Sequence, residues 1–533
     1  MATVEPVKII LDGKEVVTTK GTTVIKAAAD SGVAIPHYCY HPKLSIAGNC
    51  RMCLIEIEKM PKLQIACNTQ VAEGMSVLTE SPKVLAVRKA VLEFLLINHP
   101  VDCPICDQAG ECQLQNYYME HNREESRFEV GKVHDRKKTI FGPNVIFDGE
   151  RCIKCTRCVR FCQEITKTDE LAVIDRGDHS TIALFDDAVL DNPLSANVVD
   201  ICPVGALTDR DFRFKVRVWY LDKTPSVCPG CSTGCNISVE AYQNKIARFK
   251  PRVNEAVNSH WICDEGRYCF HDLAGGERLT MPMIRQEGGL VPTTWEQALQ
   301  AVCTGLGAAQ PLAAILSGRN TNEEAFLFAK LIKRIAADAA LEVFYQEREL
   351  NETQKILMSP DRSPNFHGAR DMGVGSNGGG FNALMQKLTA GSYSTAFVVG
   401  EDLIGANGDS EKIRGALEKL SFLVVQDTRM TATAKLAHVV LPAVHFGEKE
   451  GTYTSRNGRV QKLNAAVIAP GEALQDSEIF LRLLETAGEK LAYSSPCEIF
   501  AALAQEVSAY KGLGYDSLGD QGAELASAGD GAT

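Results

Sequence analysis

Seventeen of the nineteen cysteines in this 533-residue chain lie between Cys39 and Cys269, bunched at short spacings; only Cys303 and Cys497 fall outside. What such a crowd of thiols does depends on the compartment. The first ten residues hold Glu5 and Lys8 in a β-like run and do not read as a secretory signal. The apolar stretches at 91–97 and 439–444 are far too short to span a bilayer. The expected location is therefore the cytoplasm, where disulfides are disfavoured, and the bunched cysteines point to metal. A net charge of −11 argues against a nucleic-acid partner.

The cysteines fall into four groups. In the first, Cys39, Cys50, Cys53 and Cys67 follow the pattern C-x10-C-x2-C-x13-C. Two thiolates two residues apart grip metal from one turn, and two from distant loops close the shell, which suits a [2Fe–2S] cluster. A structural zinc site is the alternative, but zinc sites pair two short knuckles and only one is present. The second group, His99-x3-Cys103-x2-Cys106-x5-Cys112, offers three cysteines and needs a fourth ligand. His99 is within reach at the end of a predicted helix. His121 and His134 are weaker substitutes. A neutral imidazole in place of a thiolate makes a [4Fe–4S] cluster less negative and raises its potential, as in Rieske centres.

The third group, Cys152-x2-Cys155-x2-Cys158-x3-Cys162, is close to the bacterial ferredoxin run, whose fourth cysteine serves a second cluster. Cys202-Pro203 reads as the end of a second run, whose other positions are Asn192, Ser195 and Val198. The surviving [4Fe–4S] cluster is expected on Cys152, Cys155, Cys158 and Cys202, with Cys162 left over. Lys154, Arg157 and Arg160 read either as charges offsetting that cluster or as ordinary exposed basic residues. The fourth group is Cys228-x2-Cys231-x3-Cys235-x27-Cys263. It suits a third [4Fe–4S] cluster, with zinc as a real rival because the set is self-contained. Cys162, Cys269, Cys303 and Cys497 default to ordinary thiols.

Apolar content of 45% and this length allow roughly three to four domains with proper cores. Residues 1–80 read as β-rich, with strands at 7–11 and 15–18 around Asp12-Gly13 and a short helix at 24–31. A helix is predicted over 82–98 from its apolar spacing. After residue 270, helices at 295–307 and 323–336 alternate with buried strands at 395–399 and 422–425, which suggests an α/β domain. The tail from about 515, rich in Gly, Ala and Asp, is expected to be disordered.

Taken in order, the four signatures resemble the large iron–sulfur subunit of NADH:quinone oxidoreductase, respiratory complex I. The likeness runs through roughly the first 270 residues. It implies a multidomain α/β protein: a β-grasp [2Fe–2S] ferredoxin domain (1–80), a [4Fe–4S] domain with one histidine and three cysteine ligands (81–140), a ferredoxin-like [4Fe–4S] domain (141–220), and a 4Fe–4S domain of the molybdenum/tungsten type (221–277). A shortened molybdopterin-oxidoreductase-like domain (278–514) and the tail (515–533) complete it. The resemblance implies an electron-transfer subunit without a catalytic acid, base or nucleophile. It implies partners in the peripheral arm, including the NADH/FMN subunit and a downstream iron–sulfur subunit, on the cytoplasmic side of the inner membrane. The last part resembles molybdopterin oxidoreductases more weakly, through 397–403, 424–440 and 451–461. Relatives that hold the pterin often have Lys two residues after the last cluster cysteine, where this chain has Glu265, and no molybdenum cofactor is expected. The glycine-rich stretch 373–380 is read as a flexible loop, not a phosphate cradle. Rival readings are a formate-dehydrogenase-like or hydrogenase-associated iron–sulfur protein, and a zinc-stapled scaffold.

Overall fold

The structure is a computed structural model describing residues 5–526 except 187, 275, 309–310, 376–379 and 406–409. The chain divides into two units, Met1–Tyr220 and Leu221–Thr533.

The first unit opens with a five-stranded sheet in the order Lys14–Thr19, Pro6–Leu11, Met75–Leu78, Leu54–Ile57, Gln64–Ile65. Pro6–Leu11 pairs antiparallel with Lys14–Thr19 across Asp12 and Gly13. Both turn residues have positive φ, 49° and 81°, the geometry that matches a two-residue hairpin to strand twist. Val7, Ile9 and Leu11 alternate inward and meet Val24, Ile25, Ala27 and Ala28 of the helix Val24–Asp30. The helix Pro82–Leu96 starts where the Ser81 hydroxyl accepts the amide of Val84 and Pro82 presets φ. It ends just before His99-Pro100. Beyond it the chain is held by small sheets and short turns. The turn that matters is the helix Arg157–Arg160, which continues as the π-helical Phe161–Thr166.

The second unit begins with an antiparallel sheet of Asp222–Val227, Asn236–Tyr242 and Lys245–Pro251. Cys228 follows its first strand directly, and Cys235 immediately precedes its second. A seven-stranded sheet follows. Its parallel strands run in the order Ala340–Val343, Leu312–Leu316, Thr395–Val399, Phe422–Asp427, Val439–Pro442, which is 2-1-3-4-5 in chain order. The hairpin Met283–Gln286 and Gly289–Pro292 extends it antiparallel. Leu312, Ala314, Leu316, Phe397 and Val399 pack into one core, while Ala313, Ile315, Ala396 and Val398 pack into a second on the other face. Both faces are covered, so these strands are continuous apolar runs and not alternating ones.

Residues 515–526 depart from the disorder expected of them. Tyr515–Leu518 is helical and Ala523–Glu524 pairs with Arg459–Leu463. The Tyr515 hydroxyl donates to Glu323 (2.9 Å) and Leu518 is buried, so two large side chains anchor a segment whose average composition is loop-like. Residues 527–533 lie outside the described residues. Within 373–380, Gly373 and Gly375 sit in left-handed turns and Gly380 starts a helix; the four residues between are outside the described set.

Candidate metal centres

The four cysteines of the first group stand together. Cys39 is in side-chain contact with Cys50, and Cys53 with Cys67. The hydrogen bond from Cys50 holds the Cys39 thiol well below its ordinary value, helped by the amides of Cys50 and Asn49 and by the charge of Arg160. Gly48 and Arg51 both adopt positive φ, 60° and 58°. Such isolated left-handed residues curl a loop so that successive N–H groups face an anion. A Cβ on Gly48 would press on Ile65 at 3.3 Å.

In the second group Cys103, Cys106 and Cys112 are electrostatic neighbours. Burial pushes the Cys112 thiol up to about 11 and also raises Cys106. His99 is half-buried. Burial lowers its pKa to about 4; Asp102 opposes this, and Arg151, Lys132 and Lys137 add to it. The ring is therefore neutral near pH 7, the form that binds metal. Arg151 also neighbours Cys106 and is itself tied to Asp102 by hydrogen bonds of 3.0 and 2.6 Å. His121 has its Nε2 buried without a hydrogen-bond partner, and His134 is exposed and paired with Glu150.

Cys152, Cys155, Cys158 and Cys202 line one cavity of the first unit. Lys154 and Thr156, between the cysteines of the run, have φ of 55° and 61°. The Lys154 amide donates to Cys152 Sγ (3.4 Å), and amides of Val204, Ala206 and Leu207 face Cys202. Burial raises the pKa of Cys155 to about 11. Cys162 is elsewhere: it is buried against Glu170, which also accepts Asn192 Nδ2 at 2.9 Å. Asn192, Ser195 and Val198, at the non-cysteine positions of the second run, are buried as well.

In the second unit Cys228, Cys231, Cys235 and Cys263 line another cavity, closed by Gly230 and Gly266. A Cβ on Gly266 would stand 3.0 Å from Cys228 Sγ and 3.2 Å from Cys263 Sγ. The Gly266 amide donates to Cys263 Sγ (3.2 Å). Cys269 adjoins this set, contacting Cys228 and donating to the Gly266 carbonyl.

Among the described residues no group of three or more His, Cys, Asp or Glu side chains is close enough to hold one metal ion. A zinc ion draws its sulfurs to about 2.3 Å of a single centre. A polynuclear cluster gives each thiolate its own iron, which calls for thiols set around a cavity with amides turned inward. The third and fourth sets, each lining a cavity with an amide turned to a sulfur, have that arrangement.

Within the first unit the third group adjoins both of the others. Arg160 donates to the carbonyl oxygens of Cys39 (2.6 Å) and Cys155 (3.2 Å), so the first and third groups adjoin. The Gln113 amide donates to the Pro203 carbonyl (3.0 Å), and Gly205 lies on Cys106, so the third and second groups adjoin. The first and second groups also approach each other, since Tyr38 lies near both Cys50 and Cys112. The sequence leaves Arg157 and Arg160 undecided; both are buried. Their i, i+3 spacing, extended by Glu164, which Ser45 contacts through its amide and hydroxyl, is the signal that one helical face meets a partner loop.

In open α/β sheets ligands bind beyond the carboxyl ends of the strands, here those of Leu312–Leu316 and Thr395–Val399. Here Ser317 and Arg319 contact Glu401, and the buried Asp427 lies beside it at the next strand end. The N-terminus of the helix Asn322–Ile335 is capped by Thr321 and Glu324. Glu265 is engaged with Arg348 and Arg362.

The fold and these sites define a multidomain iron–sulfur protein of the oxidoreductase class. A 2Fe-2S iron-sulfur cluster binding domain matches residues 4–82, and the NADH-ubiquinone oxidoreductase-G iron-sulfur binding region matches 88–127. The ferredoxin-like domain of NADH-quinone oxidoreductase subunit 3 matches 142–208, the molybdopterin oxidoreductase Fe4S4 domain 221–273, and molybdopterin oxidoreductase 278–364 and 348–486. The mitochondrial NADH-ubiquinone oxidoreductase 78 kDa subunit of Neurospora crassa is 32% identical over 92% of this chain and 82% of its own length. The G subunit of NADH-quinone oxidoreductase from Rickettsia prowazekii is 40% identical over 62% of this chain. That match spans about half the length of the relative, 49%. The chain belongs to the family formed by the NADH-quinone oxidoreductase G subunits and the mitochondrial 78 kDa subunit. A solved NAD+-reducing [NiFe]-hydrogenase chain is 30% identical over 40% of this chain and 91% of its own, with a TM-score of 0.37.

Proposed function

We propose that this chain is the iron–sulfur subunit of an NADH:quinone oxidoreductase, carrying electrons from an NADH/FMN-binding subunit toward quinone. One [2Fe–2S] cluster sits on Cys39, Cys50, Cys53 and Cys67. Three [4Fe–4S] clusters sit on His99 with Cys103, Cys106 and Cys112; on Cys152, Cys155, Cys158 and Cys202; and on Cys228, Cys231, Cys235 and Cys263. Each bound cluster supplies a one-electron redox centre. The chain's own residues hold these centres, turn amides and guanidinium charge toward their sulfurs, and keep water away by burial. The observation that supports this reading best is the adjacency of three donor sets in one unit, joined by Arg160 and the 202–206 loop. Electrons pass first, third, second in this reading, and leave through the His99 site to a downstream iron–sulfur subunit. Among the described residues no helix is long and apolar enough to cross a membrane. The proposed position is peripheral, on the cytoplasmic side of the inner membrane, attached through the other subunits of the arm.

Iron and acid-labile sulfide counts on anaerobically purified protein, with EPR of the reduced state, test the proposal. One [2Fe–2S] and several [4Fe–4S] signals are expected. Zinc without sulfide overturns it.

A further inference from the structure

Arg157 and Arg160 are buried between the first and third donor sets, and their hydrogen bonds run in both directions. Arg160 reaches the Cys39 carbonyl at 2.6 Å and the Cys155 carbonyl at 3.2 Å with one nitrogen, and the Ser45 carbonyl with the other. Its Nε faces Thr156 Oγ1 at 3.3 Å. Arg157 donates to the Tyr40 carbonyl (2.6 Å) on one side and to the Ile201 carbonyl (3.0 Å), next to Cys202, on the other. Asn49 adds a further bond to the Lys154 carbonyl (3.1 Å). Two guanidiniums, which cannot be deprotonated in proteins, thus stand where two anionic centres face each other. In such a low-dielectric position each charge acts strongly on both neighbours.

We propose that Arg157 and Arg160 are positioning residues for electron exchange between the first and third sites. They clamp the Cys39 loop to the Cys155 loop and stabilise the reduced form of both centres. The step they serve moves one electron from one centre to the other; no bond forms or breaks and no proton is required. This rests on the iron–sulfur reading of the cysteine groups.

The test uses the full chain purified anaerobically, as wild type, Arg160→Gln and Arg160→Lys. Iron and sulfide are counted, and both midpoints are read by EPR redox titration. The magnetic interaction between the two reduced centres is read from line splitting and relaxation. Arg160→Gln is expected to lower both midpoints by about a tenfold change in the reduction equilibrium, about 59 mV for one electron. Arg160→Lys keeps the charge but loses the planar fork that reaches several oxygens at once. It is expected to retain the midpoints and weaken the magnetic interaction. If Arg160→Gln loads fully and leaves either midpoint unmoved, the inference falls. Should Arg160→Gln fail to load, Arg160→Lys decides: an unchanged interaction in loaded protein overturns the clamp. Wild type lacking iron and sulfide would instead sink the functional reading itself.

Discussion

A Cβ placed on Gly205 would stand 2.3 Å from the Sγ of Cys106, so the loop that carries Cys202 lies directly on a cysteine of the second group. The contact joins two sites that are far apart in sequence. Only a residue without a side chain permits it.

Gly205→Ala is therefore expected to push Cys106 away and cost the second site its cluster. Overpacking of this kind is worth about 1–3 kcal/mol. Iron and sulfide should fall by roughly one [4Fe–4S] equivalent, with the [2Fe–2S] signal retained. Full iron content in the variant would show that Cys106 is not needed where the structure puts it.

His99 is held neutral near pH 7, its pKa lowered to about 4 chiefly by burial. Replacing a neutral ligand with a thiolate adds one negative charge to the centre. His99→Cys is expected to keep the iron count and lower the midpoint of one [4Fe–4S] cluster by about tenfold in its reduction equilibrium or more, about 59 mV or more. An EPR titration identical to wild type would remove His99 from the donor set.

The buried carboxyl of Asp427 is pushed up from 3.8 to about 7, by desolvation first and then by nearby Glu401, against the Thr428 amide. The unfolded chain releases this proton near pH 3.8 and the folded chain near pH 7. Between those values the folded state binds more protons, so stability from this group is present at low pH and lost as pH rises through about 7. Asp427→Asn keeps an acceptor for Thr428 and removes the charge. It is expected to match wild type near pH 4 and exceed it at pH 8 by roughly 4 kcal/mol, the equivalent of about three pKa units. Urea unfolding at the two pH values measures this; an equal gap at both would mean the carboxyl is not the titrating group.

How far the sequence can be read follows from the range of each signal. Two cysteines two residues apart place their sulfurs through a single turn, so the grouping of the thiols is visible without a structure. The runs 395–399 and 422–425 are readable as buried strands because a sheet covered on both faces makes its strands nearly continuous apolar runs. The arrangement of the sites is not readable. It depends on Arg160 reaching Cys39 and Cys155 together, and a buried arginine whose hydrogen bonds go to backbone carbonyls and a hydroxyl has the same local sequence as an exposed one. The order of the segment 515–526 escapes the sequence for a similar reason: composition averages over residues, whereas Tyr515 and Leu518 each find a specific place.

Cys162 and Cys202 are the pair for which pattern and placement most need to be told apart. In the ferredoxin run Cys162 is the fourth cysteine and a natural ligand by position. The structure turns it away from the cavity of Cys152, Cys155, Cys158 and Cys202 and toward Glu170, where burial and that carboxylate both raise its pKa. Glu170 is held in turn by Asn192, at a position where a second run would carry cysteine. Cys162→Ser supplies a hydroxyl that donates to Glu170 at least as well as a thiol. It should leave iron, sulfide and every EPR signal unchanged, at a stability cost of roughly 1 kcal/mol or less. Cys202→Ser should lose roughly one [4Fe–4S] equivalent. The reverse result would place the ligand at Cys162 and require Cys202, now in the cavity wall, to be displaced from it.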